Sequence, residues 1–168
     1  IYTKTGRMSA LYQIRMLTSQ DYENQIKNFS SSIINHTQDL FQFKYSFVQK
    51  NEMRGIVVGG NIRCFLKLAG TEYWPDMTGK ILLLESWSGD VPKMVTFLNQ
   101  YKQLNVFEKV AGILLGTFIQ MENDKCVPNI TDLVIKYAGP NIPIAITPEI
   151  GHKADSKAIL IGKEIYLH

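Results

Sequence analysis

The sequence predicts an α/β domain built on a mixed sheet. Two observations carry that reading. Short aliphatic runs flanked by glycine, above all Gly79-Lys80-Ile81-Leu82-Leu83-Leu84-Glu85 and Ala111 to Phe118, read as strands buried on both faces. Between them lie segments whose apolar residues recur with a 3.6-residue period and whose ends carry capping residues.

The elements follow in order. Residues 7 to 17 give a weak strand or loop signal. Thr18 begins a helix, with Asp21 as a capping partner and Tyr22, Ile26, Phe29 and Ile33 as one apolar stripe. Phe41, Phe43, Tyr45 and Phe47 alternate with polar residues, as in a half-buried antiparallel strand. Arg54 to Val58 reads as a buried strand. Gly59-Gly60-Asn61 then turns the chain into a helix from Ile62 to Ala69, closed by Gly70. Residues 71 to 78 form a loop before the Glu85 strand. Asp90 and Pro92 open a helix reaching about Leu104, with Met94, Phe97, Leu98 and Tyr101 on one face. After the Ala111–Phe118 strand come a polar loop from Met121 to Pro128 and a helix from Ile130 to Tyr137, ended by Gly139-Pro140. Ile142 to Ile146 is a strand. Residues 158 to 161 and 163 to 167, around Gly162, form a closing hairpin or bent strand.

A chain of 168 residues suits one domain with a substantial core. The net charge of +3 is small and its lysines and arginines are scattered, which argues against a nucleic-acid partner. No apolar run approaches the roughly 18 residues of a membrane span. Cys64 and Cys126 have no zinc spacing and read as reduced thiols of a cytoplasmic protein. The sequons at Asn28, Asn35 and Asn129 read as chance triplets. The chain opens at Ile1 without a signal-peptide pattern and inside what looks like structure, so it reads as a fragment of a longer protein.

Chemistry concentrates at two residues. Glu85 ends a buried strand, where open α/β sheets carry their ligand sites, and a buried carboxylate needs a partner. His152, in Pro148-Glu149-Ile150-Gly151-His152, is the best candidate. The pair fits two places of a Ser-His-Glu arrangement, in which the acid orients the histidine and stabilises its imidazolium. No serine in the chain suits the third place. The plainer reading is a strand-end Glu on a solvated turn and a loop His without a partner. Gly59-Gly60-Asn61 invites an anion-site reading, but lacks a third glycine and a Walker lysine. A tight turn with Asn61 as N-cap explains it, as does close backbone approach to a neighbouring domain. His36 and His168 look incidental, and three histidines without a carboxylate cluster predict no metal. Trp74 reads as a packing anchor. Trp87 divides evenly between loop packing and substrate contact.

Taken together, Gly59-Gly60-Asn61, Gly70-Thr71-Glu72-Tyr73-Trp74-Pro75-Asp76, the run from Gly79 to Glu85, Gly112-Ile113-Leu114-Leu115-Gly116 and Gly151-His152 resemble the C-terminal part of the LD-carboxypeptidase family of serine peptidases. That family includes murein tetrapeptide carboxypeptidases and microcin-immunity peptidases. The resemblance spans about residues 54 to 168. It implies a layered, swivelling β/α domain with a mixed, partly barrel-like sheet. It implies that residues 1 to 53 are the linker, helix and strand joining a missing N-terminal domain. That domain would carry the nucleophilic Ser, with Glu85 and His152 completing the triad across an interdomain cleft. It also implies hydrolysis of a C-terminal amide in murein peptides, or of microcin-type peptidyl-nucleotides, without metal or other cofactor. The chain departs from the family where Ser86-Trp87-Ser88 follows Glu85 in place of acidic residues, which bears on substrate choice and marks Trp87 as a cleft residue. Ile159-Leu160-Ile161-Gly162 departs too, in local packing only.

The resulting expectation is a bacterial hydrolase fragment that is inactive alone. The edge bared by the missing domain, including the turn at 59–60 and the loop at 71–78, predicts self-association as a homodimer. The rival is a non-catalytic swivelling or binding domain, either a phosphohistidine carrier using His152 or a degenerate homologue. A carrier histidine must be exposed, whereas a triad histidine must face Glu85, so the distance between them discriminates.

Overall fold

The computed structural model describes residues 2–13 and 22–168. The predicted helix start at Thr18 and Asp21 lies outside them. The described elements are α1 (Tyr2–Thr5), β1 (Ser9–Leu11), α2 (Tyr22–Ile34), β2 (Ser46–Gln49), β3 (Met53–Asn61), α3 (Ile62–Leu66) and β4 (Ile81–Ser86). They continue with α4 (Val91–Gln103), β5 (Gly112–Phe118), α5 (Ile119–Asn123), α6 (Ile130–Ala138), β6 (Ile144–Ile146), β7 (Ile159–Ile161) and β8 (Glu164–Leu167).

Six strands form a mixed, curled sheet in the order β2-β6-β5-β4-β3-β8, and β1 pairs with β7 in a second, two-stranded sheet. β3, β4, β5 and β6 run parallel, while the edge strands β2 and β8 are antiparallel to their neighbours. β4 lies inside the sheet, and all of its residues are buried. That explains its unbroken aliphatic run, because each face needs an apolar cover. Each of its four aliphatic side chains contributes about 1.5–3 kcal/mol of hydrophobic burial.

Alternation along β4 divides the core in two. Leu82 and Leu84 join the larger cluster with Met94, Leu98 and Tyr101 of α4 and Leu133 and Val134 of α6. Ile81 and Leu83 join a smaller cluster with Val57, Leu114, Ile150 and Ile159. Two caps predicted from sequence set the helix starts. Asp90 accepts from the Lys93 amide, and Asn61 accepts from the Cys64 amide. Asn129, one of the sequon asparagines, forms a capping box with Asp132.

Several expectations change. The apolar stripe of α2 faces outward, with Tyr22, Ile26 and Ile33 exposed, while Gln25 and Ser32 are buried. The inward positions are polar because they bond backbone: Gln25 Nε2 donates to the Ser156 carbonyl, and Ser32 Oγ accepts from the Leu40 amide. Residues 41 to 47 keep their predicted alternation of burial, but the strand begins only at Ser46. β3 runs on through Gly59 and Gly60 to Asn61, because these glycines serve strand packing rather than a turn. A Cβ on Gly59, at φ +118°, would stand 2.2 Å from the Leu83 carbonyl oxygen. α3 stops at Leu66 rather than Ala69. The predicted polar loop at Met121 begins with α5, whose Met121 is buried. The C-terminal strands take the bent alternative instead of the hairpin. β7 joins β1 and β8 joins β3, with the bend held by hydrogen bonds from Val57 N to Lys163 O and from Gly162 N to Val57 O.

Candidate functional site

Glu85 lies at the carboxyl end of β4 and is buried, 4% exposed. Alternation places it on the face of Ile81 and Leu83, the side covered by β1, β7 and Ile150. The parallel partners end at the same level, with Asn61 of β3 opposite Glu85. On the other side the β4–β5 register shifts, so that Leu84 faces Leu115 while Ser86 faces Phe118. The irregularity places Gly116 and Thr117 beside Glu85.

Those two residues bring in His152. Gly116 has no side chain to hold off the 150–152 segment. A Cβ there would stand 2.4 Å from the Ile150 carbonyl oxygen and 3.1 Å from Glu85 Cβ. The Thr117 amide donates to the Ile150 carbonyl, and the His152 amide donates to Thr117 Oγ1. Gly151, at φ +136°, makes the turn between these bonds, and a Cβ there would stand 2.1 Å from Thr117 Oγ1.

The result is a close pair. His152 Nε2 lies 2.8 Å from Glu85 Oε2, with the histidine side chain 19% exposed. The approach is not aligned as a straight hydrogen bond, and neither atom has another hydrogen-bond partner. On its other side, the His152 ring receives Gln13, whose amide Nε2 contacts Nδ1. Leu11, Tyr12 and Gln13 wall a small cavity with Glu85, Ile150 and His152. Beside the pair, Lys153 Nζ lies 2.8 Å from Glu122 Oε2, and the other oxygen of Glu122 accepts from the Phe118 amide.

Trp87 is half exposed and stands edge-on to the His152 ring, with centroids 5.6 Å apart and planes at 77°. Its carbonyl accepts from the Gln120 amide. Trp74 packs against Phe65 at 4.9 Å, as an anchor. His36 and His168 are exposed, and His168 stacks on Tyr166. Cys64 and Cys126 are free thiols. Among the described residues no group of His, Cys, Asp and Glu side chains is placed to hold a metal ion, and no helix is long and apolar enough to cross a membrane.

The structure therefore brings together Glu85, His152 and Trp87, the three site residues predicted from sequence. Sequence reasoning missed Gln13, Tyr12 and Thr117. Only Thr117 had a local signal: it follows Gly116, and glycine inside a strand marks close backbone approach.

A model of the LD-carboxypeptidase C-terminal domain matches residues 54–167. A protein of Treponema pallidum assigned as a carboxypeptidase is 31% identical over 129 residues, covering 76% of this chain and 38% of the relative. A Streptococcus pneumoniae protein solved with AMP is described as like MccF, the microcin C7 self-immunity protein. It superposes with a TM-score of 0.62 at 19% identity, over 73% of this chain and 40% of that one. Muramoyltetrapeptide carboxypeptidase from Oxalobacter formigenes superposes with a TM-score of 0.59 at 20% identity, over 79% of this chain and 50% of that one. At such identities the solved structures establish the fold alone. The chain spans 31% to 40% of the length of the curated relatives it matches.

Proposed function

The chain belongs to the LD-carboxypeptidase family, and from that premise we propose that it supplies the acid and the base of a Ser-His-Glu triad. The observation that carries the reading is the 2.8 Å approach of Glu85 Oε2 to His152 Nε2, buried at the carboxyl end of parallel strands. A phosphate carrier would need that histidine exposed; here it faces a carboxylate.

In this reading the nucleophilic Ser belongs to a part of the full protein beyond this chain, and the reaction occurs in the cleft between the two. The serine hydroxyl attacks the scissile carbonyl and gives its proton to His152. Glu85 stabilises the imidazolium, and His152 returns the proton to the leaving amine. Water then releases the acyl group by the same relay. The substrate is a murein peptide with a C-terminal D-residue, or a related peptidyl-nucleotide. Trp87, edge-on to His152, offers an indole face for that substrate.

The test is D-alanine release from a murein tetrapeptide, comparing this chain with the full-length protein. The chain alone should show no enzyme-like turnover, because the nucleophile is missing. The full-length protein should turn over and lose activity to a serine-directed acylating reagent. Turnover by the chain alone, or a full-length enzyme indifferent to that reagent, would overturn the proposal.

A further inference from the structure

Gln13 touches the reacting pair from the side opposite Glu85. In the usual serine triad the acid holds histidine Nδ1 and leaves Nε2 for the nucleophile. Here Glu85 takes Nε2, and Nδ1 receives the amide nitrogen of Gln13. An amide N–H only donates, so Nδ1 accepts and the ring proton sits on Nε2, toward the carboxylate. Gln13 thus selects the tautomer, and the carboxylate 2.8 Å from Nε2 favours the same one by its charge. Gln13 also leaves Nδ1, the nitrogen with the free electron pair, capped.

Gln13 is itself held. Its neighbour Tyr12 donates to Gln25 Oε1 at 2.5 Å, and Gln25 Nε2 donates to the Ser156 carbonyl at 3.1 Å. Gln25 is fully buried. It therefore ties the segment after β1, which carries Tyr12 and Gln13, to Ser156 in the loop that follows His152, using both ends of one amide. Burying a polar side chain in this way costs free energy unless both ends are satisfied, and both are. β1 reinforces the tie by pairing with β7, through Ser9 with Ile161 and Leu11 with Ile159.

Resting on the triad reading above, we propose that Gln13 is a positioning residue. It fixes the orientation and tautomer of His152 and caps its basic nitrogen, and Gln25 holds it in place. The cap must withdraw before Nδ1 takes a proton, so Gln13 separates a resting arrangement from a reacting one.

Nitrogen-detected NMR of the His152 ring in this chain tests the idea without an assay. The parent should show one tautomer, with the proton on Nε2 and Nδ1 as acceptor. Gln13→Ala should shift the Nδ1 resonance and restore ring averaging. Gln13→Glu should place a proton on Nδ1, because a carboxylate there accepts where the amide donates. Gln25→Ala should reproduce the Gln13→Ala shift at His152, although Gln25 does not touch the ring. A proton on Nδ1 in the parent, or His152 signals unmoved by the Gln13 substitutions, would overturn the inference. Glu85→Gln separates the two claims. If it moves the His152 ring-nitrogen resonances while the Gln13 variants do not, the Glu85–His152 pairing stands and the role of Gln13 fails.

Discussion

Gly116→Ala should disconnect Glu85 from His152 while leaving both residues unchanged, by crowding the Ile150 carbonyl and, at 3.1 Å, Glu85 Cβ. The added Cβ would stand 2.4 Å from the Ile150 carbonyl oxygen, while ordinary contact begins at 3.4 Å. The 150–152 segment must therefore retreat by about 1 Å. Backbone holds it from the other side, since Ile150 accepts from Thr117 and His152 donates to Thr117 Oγ1. A shift of that size carries the 2.8 Å Glu85–His152 approach to about 3.8 Å, beyond hydrogen-bond reach. Overpacking of this kind costs about 1–3 kcal/mol of stability. Misplacing a catalytic group by 1 Å costs on the order of 10²-fold in rate. The assay is kcat of the full-length enzyme on a murein tetrapeptide, with thermal melting to confirm folding. Gly70→Ala is the control, because no atom lies within 4 Å of its Cβ position and only its φ of +80° is strained. It should lose a little stability and no kcat. A folded Gly116→Ala enzyme with parental kcat would refute the claim that this glycine sets the approach of His152 to Glu85.

Other perturbations reach different parts of the structure. Trp87→Ala should raise KM and leave kcat nearly unchanged, the mark of lost uniform binding, and an unchanged ratio of kcat/KM between a murein tetrapeptide and a peptidyl-nucleotide would reject a specificity role. Tyr101→Phe removes the hydroxyl that donates to the Ile62 carbonyl and should cost about 1–3 kcal/mol in urea unfolding at pH 7. Burial pushes the Tyr101 phenol well above its ordinary 10.0, so its contribution is full below pH 10 and falls as the unfolded chain ionises above it. The gap between parent and Tyr101→Phe should therefore narrow above pH 10, and a gap constant with pH would contradict the burial argument. The chain should self-associate, because α2 leaves Tyr22, Ile26, Ile33 and Ile34 exposed; sedimentation should show concentration-dependent mass that Ile33→Glu abolishes, and a strict monomer at high concentration would reject this.

The parts of the fold legible in the sequence are those whose cause is local. Ile81 to Leu84 must be buried on both faces, so the run announces an interior strand, and its terminal Glu85, a buried carboxylate, marks the candidate site. Asp90 and Asn61 cap the helices they precede because their side chains reach an amide three residues on. The misreadings share the opposite cause. The period of α2 is real, but period alone does not say which stripe faces the protein; Gln25 and Ser32 win the inward positions through bonds to Ser156 and Leu40. Gly59 and Gly60 looked like a turn because the strand packing that requires Gly59 comes from Leu83, far along the chain. The same holds at the site. Nothing around Gln13 marks it as a neighbour of a residue 139 positions away. Gly116 marks a close approach beside Thr117, but which segment approaches is settled only where Gly151 brings the His152 amide to it.

The most direct test of Glu85 and His152 as acid and base is kcat for Glu85→Gln in the full-length enzyme, with folding verified. The amide keeps the shape of the carboxylate but cannot stabilise an imidazolium, and it favours the wrong tautomer. By comparison with acid replacements in other serine triads, kcat should fall by up to about 10⁴-fold, and His152→Ala should lose at least as much. A folded Glu85→Gln enzyme with near-parental kcat would remove Glu85 from the mechanism and leave the 2.8 Å pair as a structural contact.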